Sequence, residues 1–414
     1  MTRAVVTGLG CITPIGQSVG EFWDSLTNGR SGVRRITLFD PSDQDCQIAA
    51  EVKAWQPERW MDPKAARRAA RFSQFAVAAA KQAMDDSGLV IDDSNRDDIA
   101  IVMNTGGGGV DIIADGEKTY LEKGASRVGI FTVPAYAPNM ASCQVAINLG
   151  INGPTVTSVA ACAAGIFAFV EAKRMIDLGE ADVVITGGAE ANIIPISVAA
   201  MANMKALSTR NDEPEKACRP FDATRDGFVY GEGAAAFVIE TAEHAQRRGA
   251  RIYAELAGGA ITSDAYHITA PDPSGVQSSR AISKAIEKSG LTPEDVDLIV
   301  AHGTGTPLND AAETVAIKRA LGEHAYKVAV TGPKSMVGHQ LGAAGAVSGL
   351  TAVLAIDRGV IPPTINLEHP DPECDLDYVP LVARKAESRV ALVNGFGFGG
   401  QNGVAAFKRW ENGA

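Results

Sequence analysis

The chain has 414 residues, 46% hydrophobic and 21% charged, with 43 glycines and a formal net charge of −11. This length exceeds what a single hydrophobic core serves and the composition excludes a disordered chain, so two packed halves are expected, over residues 1–250 and 251–414. The acidic balance argues against nonspecific nucleic-acid binding; six cysteines with no close paired spacing argue against zinc sites and disulfide frameworks, and for the reducing cytoplasm.

The first ten residues run straight into a strand at 4–8 and a glycine turn, without an apolar signal core. Residues 20–28 read as a short helix closed by Gly29. Over 63–87 the spacing predicts one helix, with Phe72, Phe75, Ala76, Ala79 and Ala83 on one side and Gly88 as its stop. Lys64, Arg67, Arg68 and Arg71 would then share a face at i, i+3, i+4 and i+7, either a basic patch with a purpose or an ordinary solvated face. A strand at 98–104 leads into Thr105 and four glycines, 106–109, which match neither a dinucleotide fingerprint nor a Walker A loop.

Residues 154–159 read as a strand and 166–178 as a helix, which sets Cys162, among small residues, at a helix N-terminus. There the free N–H groups and the positive dipole end would favour thiolate and hold an oxyanion, making Cys162 a candidate acyl-accepting nucleophile. Taken alone, a cysteine between alanines is core packing. Residues 182–188 read as a buried strand of parallel-sheet character, 219–233 as an ordered, charge-rich loop and 234–239 as a further strand. Glu171, Glu190 and Pro195 interrupt the longest apolar stretches, so no membrane span is expected.

In the second half, strands at 298–301, 327–331 and 391–394 each run into a glycine-rich turn. These turns are His302-Gly-Thr-Gly-Thr-Pro307, Gly332-Pro-Lys334-Ser-Met-Val-Gly-His339 and Gly395-Phe-Gly-Phe398-Gly-Gly400. His302 and His339 therefore stand where loops at strand ends carry sites, while His244 and His324 read as exposed helix residues. Ala163-Ala-Gly165 with Ile176-Asp-Leu-Gly179 recurs 180 residues later as Ala343-Ala-Gly345 with Ile356-Asp-Arg-Gly359. One supersecondary unit is thus used once per half, and Cys162 corresponds to Gly342.

The Cys162 turn, His302-Gly-Thr-Gly-Thr-Pro307 with Asp310, Lys334 five residues before His339 in Gly-His-x-x-Gly-Ala-Ala-Gly, and the Gly-Phe-Gly-Phe-Gly-Gly turn together resemble the β-ketoacyl-[acyl-carrier-protein] synthases, especially the elongating synthases, over essentially the whole chain. The resemblance implies a thiolase-like fold of two similar α/β halves layered αβαβα, working as a homodimer. It also implies that malonyl and acyl thioesters arrive on the phosphopantetheine arm of acyl carrier protein, and that no metal or redox cofactor is used. Cys162 would accept the acyl chain; His302 and His339 would promote loss of CO₂ from the malonyl thioester and stabilise the enolate, with Lys334 orienting the site. The N–H groups of Cys162 and Phe398 would form the oxyanion hole.

By the same resemblance Glu313 would pair with Lys334 or order the site, supported by Asp310, and Thr304, Thr306 and Thr269 would hydrogen-bond the pantetheine arm. Lys64, Arg67 and Arg68, with Arg127 and Arg210, would dock the acidic carrier protein. At Gly107 elongating relatives commonly carry a bulky aliphatic gate, which implies an open tunnel for long or stiff acyl chains. The alternative is a turn glycine, with the tunnel closed by Phe131 or by a residue from a second subunit. Two other functions compete: the ketosynthase subunit of a type II polyketide or polyene pathway, and a noncatalytic acyl-binding subunit, against which Cys162, His302, His339 and Lys334 speak.

Overall fold

The computed structural model describes residues 2–411. In chain order its main strands are β1 (Ala4–Ile12), β2 (Ile99–Asn104), β3 (Thr155–Val156), β4 (Val183–Glu190) and β5 (Gly233–Thr241), then β6 (Ala254–Ser263), β7 (Leu298–Val300), β8 (Ala329–Thr331), β9 (Val390–Gly397) and β10 (Gln401–Lys408). Across one ten-stranded sheet they lie β3-β2-β4-β5-β1-β6-β10-β9-β7-β8. The order of the second five mirrors that of the first about a seam where Ala4, Val5 and Val6 pair with Leu256, Glu255 and Ala254. In each half the outer two pairings are parallel and the inner two antiparallel.

The layers on either side of the sheet are built on α1 (Arg71–Ser87), α2 (Ala164–Leu178), α3 (Val276–Lys288), α4 (Pro307–Leu321) and α5 (Ala344–Arg358). Helices α2 and α5, each of 15 residues, share the largest core with strands of both halves. α1 buries its apolar face against the first half, and α3 and α4 bury theirs against the second. The result is the αβαβα layering. The stretch Leu341–Arg358 is long and apolar enough to cross a membrane, but 83% of it is buried inside the protein, where it serves as the central core helix.

The duplicated sequence corresponds to a duplicated backbone. A Cβ on Gly165 would overlap the backbone N of Ala346, and one on Gly345 would lie 2.6 Å from the N of Ile166. The repeated Ala-Ala-Gly is therefore the crossing point of two helix starts, where any side chain would push the helices apart. One turn earlier, Ala161 (φ 46°) and Leu341 (φ 44°) hold the same left-handed conformation at matching positions. Such a backbone is unfavourable for a residue with a Cβ and persists because packing on both sides enforces it.

The expected helix over 63–87 is two helices. Asp62 caps a single turn, Pro63–Ala66, and the side-chain amide of Gln74 donates to the carbonyls of Ala66 (3.0 Å) and Ala69 (3.1 Å) at the break. Arg71 then turns inward onto the buried Glu232 (2.6 and 2.8 Å) and the carbonyl of Val52. It therefore does not belong to the basic face. Strands β6 and β10, rich in alanine and glycine, carry no β-branched alternation and are defined by their pairing with each other. His244 and His324, expected to be exposed, are half-buried and bonded to Glu240 (2.5 Å) and to the carbonyl of Val296 (2.9 Å).

Candidate active site

Turns from both halves meet around a cavity of about 330 Å³ lined by Cys162, His302, His339, Thr304, Thr306, Thr269, Gly107 and Phe398, among others. Cys162 sits in the single 3₁₀ turn Ala161–Ala163 that leads into α2, directly after the left-handed Ala161. Its own backbone N–H and that of Phe398, in the turn after β9, favour its thiolate. Burial pushes the Cys162 thiol up to about 12, against the pull of the Lys334 cation. The expectation of a resting thiolate is thereby corrected: removing the sulfur from water costs the anion more than the helix terminus returns. Cys162 is thus held as a thiol, which to act as a nucleophile would need a base.

Two candidate bases stand close to each other. The rings of His302 and His339 lie 5.3 Å apart at 85°, between Phe396, 5.8 Å from His302, and Phe228, 5.2 Å from His339. Their backbones are fixed separately: His302 N–H donates to Glu313 (2.8 Å), and His339 N–H donates to the carbonyl of Val229 (2.7 Å). Burial first, then the nearby Lys334 cation, hold both imidazoles well below their ordinary value. At neutral pH each is uncharged, with one N–H to donate and one lone pair to accept.

Lys334 opens the buried turn Lys334–Val337, where burial pulls it down to about 8 while attraction to Glu313 opposes the change. Among the described residues no ion pair joins it to Glu313. Instead Glu313 accepts from the N–H groups of His302 and Gly303 (2.7 Å) and from Asn394 (3.0 Å). Asp310 does the same for the next loop, accepting from Phe221 N (2.8 Å), Gly305 N (3.2 Å) and Asn309 (3.1 Å). Thr306 accepts from Asn309 N as the N-cap of α4 and is 3.0 Å from the Thr304 hydroxyl. Thr269 lines the cavity across from them, with its hydroxyl 3.3 Å from His267.

Other expected residues fall elsewhere. Phe131 is outside the cavity, 39% exposed, with the Arg68 guanidinium 4.5 Å above its ring. The space beside Gly107, expected to be open, is occupied by the amide of Asn192. Lys64, Arg67, Arg68 and Arg127 are exposed, whereas Arg210 is half-buried and donates to the carbonyl of Thr224 (2.6 Å). Glu190, which in the sequence only interrupts an apolar run, is fully buried and accepts from Gly106 N (2.6 Å), Gly342 N (3.0 Å), Thr105 (3.2 Å) and Asn192 (2.6 Å). Burial raises its carboxyl to about 7. The available signal was a single carboxylate closing a strand otherwise made of apolar residues, threonine and glycine.

A buried thiol at a helix start, sharing a cavity with two neutral imidazoles between duplicated α/β halves, is the arrangement of a thiolase-like acyltransferase. The β-ketoacyl synthase N-terminal domain matches residues 1–245 and the C-terminal domain residues 253–368, and the chain belongs to the β-ketoacyl synthase family. It is 51% identical over 409 residues to 3-oxoacyl-[acyl-carrier-protein] synthase 2 of Synechocystis sp., covering 99% of this chain and 98% of that one. The synthase 2 of Coxiella burnetii is 46% identical over 98% of each chain. Among solved structures, the ishigamide ketosynthase/chain length factor aligns with a TM-score of 0.93 at 36% identity, over 99% of this chain and 100% of that one. A type II polyketide acyl-carrier protein in complex with its ketosynthase, bound to the hexaketide, aligns with 0.90 at 33% identity, over the same shares.

Proposed function

We propose that the chain is an elongating condensing enzyme of fatty-acid synthesis, joining malonyl-[acyl-carrier-protein] to an acyl chain held on Cys162 to give 3-oxoacyl-[acyl-carrier-protein]. The observation that carries this reading is one cavity that holds the Cys162 thiol, the turn of Phe398 and two uncharged imidazoles, His302 and His339. A neutral imidazole takes the thiol proton as the sulfur attacks the acyl thioester, and the carrier thiol leaves with a proton. The malonyl thioester then loses CO₂, and the electron pair of the broken C–C bond becomes an enolate whose oxygen accepts hydrogen bonds from His302 and His339. The enolate carbon attacks the acyl carbonyl beneath the two N–H groups, and collapse of the intermediate expels the Cys162 sulfur, which takes up one proton. The sequence of steps needs no metal or redox cofactor.

Full-length identity of 51% and 46% to synthase 2 relatives favours fatty-acid elongation over the polyketide alternative. The test is to mix the protein with acyl- and malonyl-carrier protein, then look for acylated Cys162 by mass spectrometry and for 3-oxoacyl product. Absence of both overturns the reading.

The pantetheine arm would run past Thr304, Thr306 and Thr269, and the exposed Lys64, Arg67, Arg68 and Arg127 would receive the acidic carrier protein, with Arg210 alongside. Reversing Lys64 and Arg67 to glutamate is expected to raise the carrier-substrate KM at low salt, with little change at high salt where the charges are screened. An unchanged KM at low ionic strength returns these residues to the solvated face. A homodimer is supported by the outer edge of β3: Thr155 and Val156 are exposed there, near Val159 at 55% and Ile147 at 71%, while the opposite edge strand β8 is buried. An unpaired edge with apolar neighbours is a surface for strand pairing. A cytoplasmic location fits six cysteines that are all free thiols.

Lys334 makes the reading pH-sensitive. It loses its proton as pH rises through about 8, so condensation is expected to decline above that pH as the cation that favours the thiolate disappears. Stability moves the other way, because between about 8 and 10.5 the unfolded lysine still binds its proton while the folded one does not. Rate profiles and melting temperatures of wild type and Lys334→Met across that window check both signs: the wild type should gain stability relative to the variant, and the variant should lack the alkaline decline.

A further inference from the structure

Gly107 lines the cavity without being required by the backbone: Gly108 beside it takes φ 69°, whereas Gly107 is not in the left-handed region. What fills its missing side chain is Asn192. A Cβ on Gly107 would lie 2.8 Å from Asn192 Nδ2 and 3.4 Å from Val110 Cγ2, so the two positions are complementary, one empty and one filled. Asn192 follows β4, is 4% exposed and lines the same cavity. Its Nδ2 donates to Glu190 (2.6 Å), and Glu190 in turn holds the N–H groups of Gly106 and Gly342. The amide is thereby tied to the glycine loop and to the turn that pairs with the nucleophile's own. Its Oδ1 is buried and has no hydrogen-bond partner. One end is anchored and the other is free, so the side chain leaves its seat by giving up a single side-chain hydrogen bond.

We propose that Asn192 is the gate of the acyl pocket, seated in the space left by Gly107, and that its bulk sets how long an acyl chain Cys162 accepts. Long chains must displace the amide; short ones need not. The inference rests on acyl transfer to Cys162, and the experiment separates the two. Wild type, Asn192→Ala, Asn192→Leu and the double variant Asn192→Ala/Gly107→Ile are offered carrier proteins bearing short, medium and long saturated chains, and acylation of Cys162 is timed by mass spectrometry. Asn192→Ala is expected to raise the long-to-short rate ratio about tenfold or more, the scale of one or two methylenes in an apolar pocket. Asn192→Leu loses the same bond to Glu190 but keeps the bulk, so it should keep the length limit; this distinguishes gating from loosened structure. In the double variant isoleucine takes the vacated seat and should restore the short-chain preference. A long-to-short ratio unchanged in Asn192→Ala, or raised equally in Asn192→Leu, overturns the gate. Failure of wild type to be acylated by any chain overturns instead the acyl-transfer reading beneath it.

Discussion

Cys162→Ala is expected to abolish condensation, by at least about 10⁴-fold, because no other group occupies the position under the two N–H donors. Cys162→Gln should behave differently. Its amide carbonyl would lie near where the acyl thioester carbonyl does, with the oxygen beneath the Cys162 and Phe398 N–H groups, so the site would resemble the acylated enzyme. Malonyl decarboxylation is then retained without a product chain, since an amide offers no acyl group to transfer. Separate measurement of CO₂ release and 3-oxoacyl product checks both variants, and full elongation by the alanine variant would sink the mechanism. The resting thiol, held near 12 by burial, adds that acylation depends on proton removal by an imidazole and not on a stored thiolate.

Replacing either imidazole is expected to have the next largest effect. His302→Ala and His339→Ala each remove one donor to the enolate oxygen, a loss of about a hundred- to a thousandfold in malonyl decarboxylation. The histidine that acts as base toward Cys162 should also slow acylation when replaced, so measuring acylation and CO₂ release on both variants assigns the roles. Decarboxylation at the wild-type rate in either variant removes that residue from the enolate site. Because both imidazoles are held well below 6.5, the site should keep its rate as pH falls through the ordinary histidine range. The fold should not. Below about 6.5 the unfolded histidines bind protons that the buried ones refuse, so these two groups make stability fall with acid.

Much of the site was legible because its chemistry is carried by residue types that have little other business in a glycine-rich turn after a strand. His302, His339, Lys334 and Phe398 all occupy such turns, and the 180-residue repeat marked α2 and α5 as the same unit used once in each half. Glu313 and Asp310 were visible as acids near the motif, but what they hold was not. Their partners are backbone N–H groups, which every residue except proline has and which no side-chain pattern reports.

The sequence by itself determined the duplicated α/β architecture and singled out Cys162, His302 and His339 as candidates, since local periodicity, glycine turns and reactive side chains are written in consecutive residues. Tertiary structure alone decided the rest. Arg71 left the basic face because Glu232, 161 residues away, is fully buried and needs its charge. Cys162 became a resting thiol because the completed fold removed its solvent. The wall at Gly107 passed to Asn192, 85 positions along the chain, because β2 and β4 run side by side and bring their ends together. In each case the deciding quantity is burial or contact between distant segments, and these exist only once the chain has closed.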